Sequence, residues 1–183
     1  MIELIVGPMS AGKSTEMLRR LNRARIAGLS TLIIKPAIDS RGEAAVTTHD
    51  GASITCHTVQ TSVEFANLVQ NNWPSVVGID EVQFFDAGIV DVIRDIPFGI
   101  KVIVTGLDLT WDGKPFENTL QLMAYAEKVK KLAAVCTHCG QDASRSFRKT
   151  NDRDTVLVGG LDLYCALCTT CWKNARIQRW EAP

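Results

Sequence analysis

Apolar and polar residues fall into blocks along the first 132 positions, and block length separates two kinds of element. Nearly unbroken apolar runs occur at IELIV (2–6), STLIIK (30–35), SVVGID (75–80) and KVIVTGL (101–107). Short runs of this kind predict strands buried on both faces. Longer segments at 13–27, 61–73, 89–96 and 118–131 repeat their apolar residues at helical spacing. They predict helices with one face against a sheet. Gly28 follows the first of them and suits the left-handed position beyond a helix end. Thr61 and Glu64 have the spacing of a capping box at the start of the second. SITCHTV (53–59) alternates like a short strand, whereas 36–51 has little periodicity, contains Pro and Gly, and reads as a long functional loop.

Strands alternating with helices predict an α/β fold, a mostly parallel sheet with helices on both faces. The rhythm stops after Leu132, where cysteines, turns and short strand-like pieces take over. A boundary is therefore expected there, dividing the chain into 1–132 and 133–183. No internal repeat or low-complexity tract is present.

Composition narrows the class. A chain of 183 residues, 46% hydrophobic and 22% charged, suits one domain with a sizeable core and a small appendage. Lys+Arg and Asp+Glu are both 20, so net charge favours neither nucleic acid nor an anionic membrane as partner. Arg19, Arg20, Arg23 and Arg25 could form a local basic patch, although a solvated helix face is the plainer reading. No apolar stretch reaches the roughly 20 residues that span a bilayer. The start, MIELIVGPMS, lacks the marks of a secretory signal, and a cytoplasmic location is expected. Five of the six cysteines lie between Cys136 and Cys171, which reads as metal binding in a reducing compartment.

The first chemical motif is GPMSAGKST, directly after IELIV. Gly7, Gly12, Lys13 and Ser14 match G-x-x-x-x-G-K-[ST] between a strand and a helix. Glycines let backbone N–H groups turn inward around phosphate oxygens, and the helix start points its positive end at them. Lys13 can reach the outer phosphates, and the Ser14 hydroxyl can ligate Mg²⁺. The second motif is IDEVQFF, where Asp80 and Glu81 end a strand, the place where ligands collect in such sheets. Asp80 is placed to hold magnesium, and Glu81 to take a proton from the attacking group. Water and a substrate hydroxyl are equally possible acceptors at this point.

Cys136-x-x-Cys139 and a second C-x-x-C near the C-terminus can supply four thiolates to a structural Zn²⁺. The loop between them would be pinned at its base. Cys165, Cys168 and Cys171 form C-x-x-C-x-x-C, so the sequence offers two choices for the second pair. His138 falls between two candidate ligands, in a turn that disfavours its own ligation. With Cys56, His49 and His57 it reads as packing or surface.

GPMSAGKSTEMLRR, IDSR, THDG, IDEVQFF, LDLTWDGKPF, VCTHCG and GGLDLYCALCTTCW occur in the order seen in zinc-containing thymidine kinases of the cellular type, and the chain resembles that family over nearly its whole length. The resemblance implies transfer of the γ-phosphoryl group of ATP to the 5′-hydroxyl of thymidine. It also implies a RecA-like P-loop core, a zinc-bearing lasso domain and a homotetramer. Gly7, Pro8, Met9, Ser10, Ala11, Gly12, Lys13 and Ser14 would bind ATP, aided by Asp39, Ser40 and Arg41. Asp80 and Gln83 would line the reaction centre, with Glu81 as base. Phe84, Trp111 and Phe116 would offer aromatic surfaces to the nucleoside. Thr155, Val156, Leu157, Val158 and Gly159 would bind thymine through the backbone, and Tyr164 would complete the pocket. The family's order selects Cys168 and Cys171 as the second zinc pair and leaves Cys165 outside it.

The sequence departs from the family's usual residues in three places: the pair Ser10-Ala11, Val82, which is expected to narrow the pocket, and Trp111 in place of phenylalanine. Two rivals stay open on the residues alone. A zinc-containing P-loop ATPase acting on nucleic acid would need a basic face and usually extra length. A nucleotide-binding regulator without turnover would tolerate loss of Glu81.

Overall fold

Burial on both faces requires apolar strands to lie side by side, and the chain meets that demand with one six-stranded sheet. The computed structural model describes residues 1–39, 45–47, 53–152, 154, 157 and 159–178. Strand β1 (Ile2–Val6) leads through the glycine loop into α1 (Lys13–Ile26). Then come β2 (Thr31–Pro36), β3 (Ala45–Thr47), β4 (Ser53–Thr55), β5 (His57–Val59) and α2 (Ser62–Asn72). Next are β6 (Val76–Ile79), α3 (Ile89–Arg94), β7 (Lys101–Gly106), α4 (Glu117–Tyr125) and β8 (Lys128–Lys131). The remaining elements are β9 (Ala134–Val135), β10 (Asp142–Ala143), β11 (Arg145–Arg148), β12 (Tyr164–Leu167) and α5 (Thr169–Arg176).

The main sheet runs β5-β2-β6-β7-β1-β8, and every ladder in it is parallel. All its carboxyl ends therefore lie along one edge. On one face Ile5, Ile33, Val76 and Ile103 pack beneath Met17, Leu18 and Leu21 of α1. On the other, Leu4, Ile34, Val77 and Val104 share a core with Phe65 of α2, Ile93 of α3 and Leu122 of α4. Each such buried side chain contributes about 1.5–3 kcal/mol relative to exposure. Gly78 lets α1 approach, since a Cβ there would stand 2.6 Å from Leu21 Cδ1. Ala134, Cys136, Ala143, Phe147, Ala166, Leu167 and Trp172 form a further apolar cluster beyond the sheet.

Several local expectations hold. Gly28 adopts φ 75°, closing the C-terminal end of α1. Thr61 caps α2 by accepting the Glu64 N–H at 3.1 Å, while the Glu64 carboxylate takes the N–H of Gln60 instead of Thr61. Others change. The helix expected over 118–131 ends at Tyr125, and Lys128–Lys131 forms β8, parallel to β1. KVKK has ordinary helix propensity, but β1 offers unpaired backbone groups along that side, and pairing them decides the outcome. Exposed lysines on an edge strand also discourage further pairing. The 53–59 segment is two strands: β4 pairs with β3 and β5 with β2, with buried Cys56 between. β3 lies inside the 36–51 stretch that its weak periodicity predicts to be a long functional loop.

Candidate active site and cysteine cluster

The loop after β1 and the acid after β6 meet across β7. Ser14 Oγ lies 3.0 Å from both carboxylate oxygens of Asp80. The hydroxyl of Thr105, in β7, donates to the same carboxylate, so the intervening strand fills the gap. Burial pushes the Asp80 carboxyl up to about 6, and the neighbouring Glu81 charge adds to the rise. The Thr105 and Ser14 hydroxyls and Lys13 pull the other way. A hard cation here would meet hydroxyl and carboxylate oxygens, a donor set that suits magnesium. Lys13 is buried, and its ammonium donates to the Pro8 carbonyl at 2.9 Å.

The loop's own geometry is tight. Ser10 and Gly12 have positive φ of 62° and 77°. A Cβ on Gly7 would sit 2.4 Å from the Leu132 carbonyl oxygen, so only glycine fits. The Met9 N–H donates to Ser146 Oγ at 3.0 Å, and Ala11 packs against the apolar cluster around Phe147. The phosphate loop thus touches β11 as well as the sheet.

Glu81 is turned away from Asp80 by a left-handed backbone (φ 54°, ψ 48°), a conformation costly for a non-glycine residue. Its half-exposed carboxylate accepts the side-chain amide of buried Gln83 at 2.5 Å. Gln83 in turn accepts the Leu107 N–H at 3.0 Å. One acid is thus buried beside a hydroxyl, and the other is aimed elsewhere by a fixed amide. Val82 is fully buried in the core, and a Cβ on Gly106 would meet it at 2.9 Å.

The candidate aromatics fall into two groups joined by the loop after β7. Phe84 and Phe116 meet edge to face at 6.4 Å, both half-buried. Trp111, on the same loop, donates its indole N–H to the Asp154 carbonyl at 3.0 Å. Tyr164 is buried, and its hydroxyl donates to the Leu157 carbonyl at 2.8 Å. Gly159 is half-buried against Leu163. Asp39 ends a short 3-10 turn (Ala37–Asp39), but its side chain, with Ser40, Arg41, Thr155, Val156 and Val158, lies outside the described residues.

Cys136, Cys139, Cys168 and Cys171 bring their sulfurs within 4.8 Å of one another. Cys165 stands apart, opposite Phe147 in the β11–β12 ladder, so the geometry chooses the second pair. Burial acts to raise the Cys136 thiol, yet backbone hydrogen bonds from Cys168, Cys139 and His138 lower it to about 6. The Cys171 thiol is pushed up to about 12, chiefly by its hydrogen bond with Cys168. Four sulfurs this close cannot all ionise without a cation, and a tetrahedral zinc is the cation such a set suits. His138 Nδ1 lies 3.5 Å from Cys171 Sγ, within reach of the cluster's rim.

A model of the thymidine kinase family matches residues 1–172. The chain belongs to the thymidine kinase family. A thymidine kinase of Bdellovibrio bacteriovorus is 45% identical over 174 residues, covering 94% of this chain and 85% of its own. That of Bacteroides thetaiotaomicron is 42% identical over 177 residues, covering 96% and 88%. That of Ureaplasma parvum is 39% identical over 178 residues, covering 91% and 80%. Among solved structures, the Legionella pneumophila ATPase DotB aligns over 77% of this chain and 42% of its own, with 12% identity and a TM-score of 0.45. That likeness is too slight to bear on function.

Against the thymidine kinase pattern, three groups at the site were not singled out from the sequence. Thr105 is a hydroxyl at the carboxyl end of the otherwise apolar run VIVTG, and that position is a signal in the sequence. Asp108 is buried with Lys131 Nζ 2.7 Å away, and the sequence pattern, which predicts a helix over 118–131, does not bring the two together. Arg148 is wholly buried, which nothing in SRSFRK announces. The arginines of α1 are largely engaged: Arg19 and Arg20 pair with Glu16, and Arg20 also with Glu3. Among the described residues no helix is long and apolar enough to cross a membrane.

Proposed function

We propose that this chain, as a thymidine kinase, moves the γ-phosphoryl group of ATP to the 5′-hydroxyl of thymidine, giving thymidine monophosphate for DNA precursor salvage. Family membership supports the substrate pair. The separation of Asp80 from Glu81 by the left-handed turn supports the division of labour between them.

In this reading Gly7 to Ser14 cradle the phosphates, and Lys13 leaves the Pro8 carbonyl to meet their outer oxygens. Asp39, Ser40 and Arg41 assist from the loop after β2. Magnesium, held by Ser14 and Asp80, would offset phosphate charge during transfer. Glu81, steadied by Gln83, accepts the proton from the 5′-hydroxyl as that oxygen bonds to the γ-phosphorus and the bond to ADP breaks. Phe84, Phe116 and Trp111 shelter the nucleoside, and the backbone of 155–159 reads the thymine edge beside Tyr164.

Zinc on the four cysteines is structural and anchors the part beyond Leu132, which we treat as a unit distinct from 1–132. A homotetramer in the cytoplasm, with no nucleic-acid or membrane partner, completes the proposal. The test is direct: incubate the protein with γ-labelled ATP, Mg²⁺ and thymidine. Label in thymidine monophosphate is expected; label appearing only as free phosphate, or rising with DNA or RNA, would favour the ATPase instead.

A further inference from the structure

Arg148 has no exposed surface, and it is the largest side chain in the described protein that is wholly buried. It lies in β11 directly opposite Tyr164 of β12. Burying a guanidinium is costly unless its donors are met, and a plain core would use an apolar residue. Half-exposed Asp152 places a carboxylate oxygen 3.6 Å from its Nη1.

Its donors go to two places. Nε and Nη2 both donate to the Tyr164 hydroxyl, at 3.2 and 2.8 Å. Nη1 donates to the backbone carbonyl of Asp152 at 3.2 Å and to that of Asp154. Arginine only donates, so the Tyr164 oxygen must accept and turn its own hydrogen elsewhere. That hydrogen goes to the Leu157 carbonyl. The guanidinium carbon also lies 5.0 Å from the Trp111 ring centre and 5.4 Å from that of Tyr164, within reach of both π systems. Trp111 closes the circuit through its bond to Asp154.

We infer that Arg148 is a positioning residue for nucleoside recognition: one buried cation gathers the carbonyls of Asp152 and Asp154 directly and that of Leu157 through the Tyr164 hydroxyl, and it fixes the Trp111 and Tyr164 rings around them. The inference rests on the nucleoside reading of this segment given above. It assigns Tyr164 a bracing role, because both sides of its hydroxyl are already engaged. A lysine could not replace the group, since it lacks the planar fork and the stacking face.

The test compares Arg148→Met, Arg148→Lys and Arg148→Ala with the unaltered, metal-loaded protein. Arg148→Met should raise the thymidine KM roughly 10- to 100-fold while the ATP KM stays within about twofold. Arg148→Lys should recover little of it. Millimolar guanidinium, well below denaturing concentrations, should restore thymidine KM in Arg148→Ala, and equal sodium chloride should not. Tyr164→Phe should raise thymidine KM too, and combining it with Arg148→Met should add less than the two separately. Hydrogen exchange at Leu157 and Gly159 should quicken in the nucleotide-free variants.

Unchanged thymidine KM and exchange in Arg148→Met would overturn the inference. So would a rise of both KM values together with a lower Tm and no guanidinium rescue, the mark of general damage. If the unaltered protein phosphorylated no nucleoside, the proposed function would fall, while exchange would still decide whether Arg148 holds the segment.

Discussion

Gln83 fixes Glu81: the amide donates to the carboxylate at 2.5 Å while its oxygen holds the Leu107 N–H at 3.0 Å. The base proposed for the reaction is therefore aimed by the strand that separates the phosphate loop from Asp80. Glu81→Gln should lower kcat by about 10²–10⁴-fold and leave ATP affinity within about twofold, because an amide takes no proton. Gln83→Leu should lower kcat by roughly tenfold with Glu81 intact, since the carboxylate loses its aim. Steady-state kinetics with ATP titration checks both; normal kcat in Glu81→Gln would remove that residue from the chemistry.

Two loop glycines should respond differently to a methyl group. At Gly7 the added carbon would meet the Leu132 carbonyl at 2.4 Å, and Leu132 is itself held by its N–H bond to Val6 at 2.8 Å. At Gly12 nothing lies within 4 Å, and only the left-handed backbone penalty remains. Gly7→Ala should cost about 2–4 kcal/mol and Gly12→Ala about 1–2 kcal/mol in urea unfolding. The reverse order would mean that Leu132 does not close against the loop.

The contrast between KVIVTG and KVKK shows where the sequence was legible. β7 is buried on both faces, so its composition alone identified it, as with β1, β2 and β6. β8 is an edge strand with all four residues exposed, so no burial pattern marks it, and the partner that makes it a strand is 125 residues away at β1. The same holds at the site. Gly7, Lys13, Ser14 and Asp80 could be read because phosphate chemistry constrains neighbours along the chain. Arg148 could not, because its partners Trp111, Tyr164 and Asp154 become neighbours only after folding. The cysteine choice was similar: spacing left two pairs possible, and sulfur positions select Cys168 and Cys171.

Stability should depend on pH through Glu16. Hydrogen bonding by Arg19, and then by Arg20 and Lys130, outweighs burial and lowers this carboxyl from 4.5 to about 2. A carboxylate with a lower pKa in the fold than in the unfolded chain stabilises fully above the unfolded value, and that stability disappears as pH falls through the folded value. The window is therefore about pH 4.5 down to about 2. Arg19 and Lys130 are about half exposed, so screening reduces the effect to roughly 1 kcal/mol at pH 7. Glu16→Gln should lose that amount at pH 7, differ little from the parent near pH 2, and differ less in molar salt. A difference that grew on acidification would contradict this sign.

Metal removal should reach the nucleoside side before the ATP side. Cys168 caps α5 by accepting the Cys171 N–H at 3.4 Å, so the cluster fixes the start of that helix. From α5, Trp172 donates to the Trp111 carbonyl at 3.2 Å and Arg176 to the Asp112 carbonyl at 3.1 Å. Gly113 leaves room for the Trp172 ring, which would stand 3.0 Å from a Cβ there. The helix thus holds the loop that carries Trp111 by two hydrogen bonds, whereas the phosphate loop meets this region through Met9 and Ala11 and is also held by Ser14 on Asp80. A chelator, or Cys168→Ser, should release about one zinc per chain and raise thymidine KM several-fold more than ATP KM. Tryptophan emission should shift as Trp172 loosens. Full loss of zinc with thymidine KM unmoved would show that α5 holds the loop without the metal.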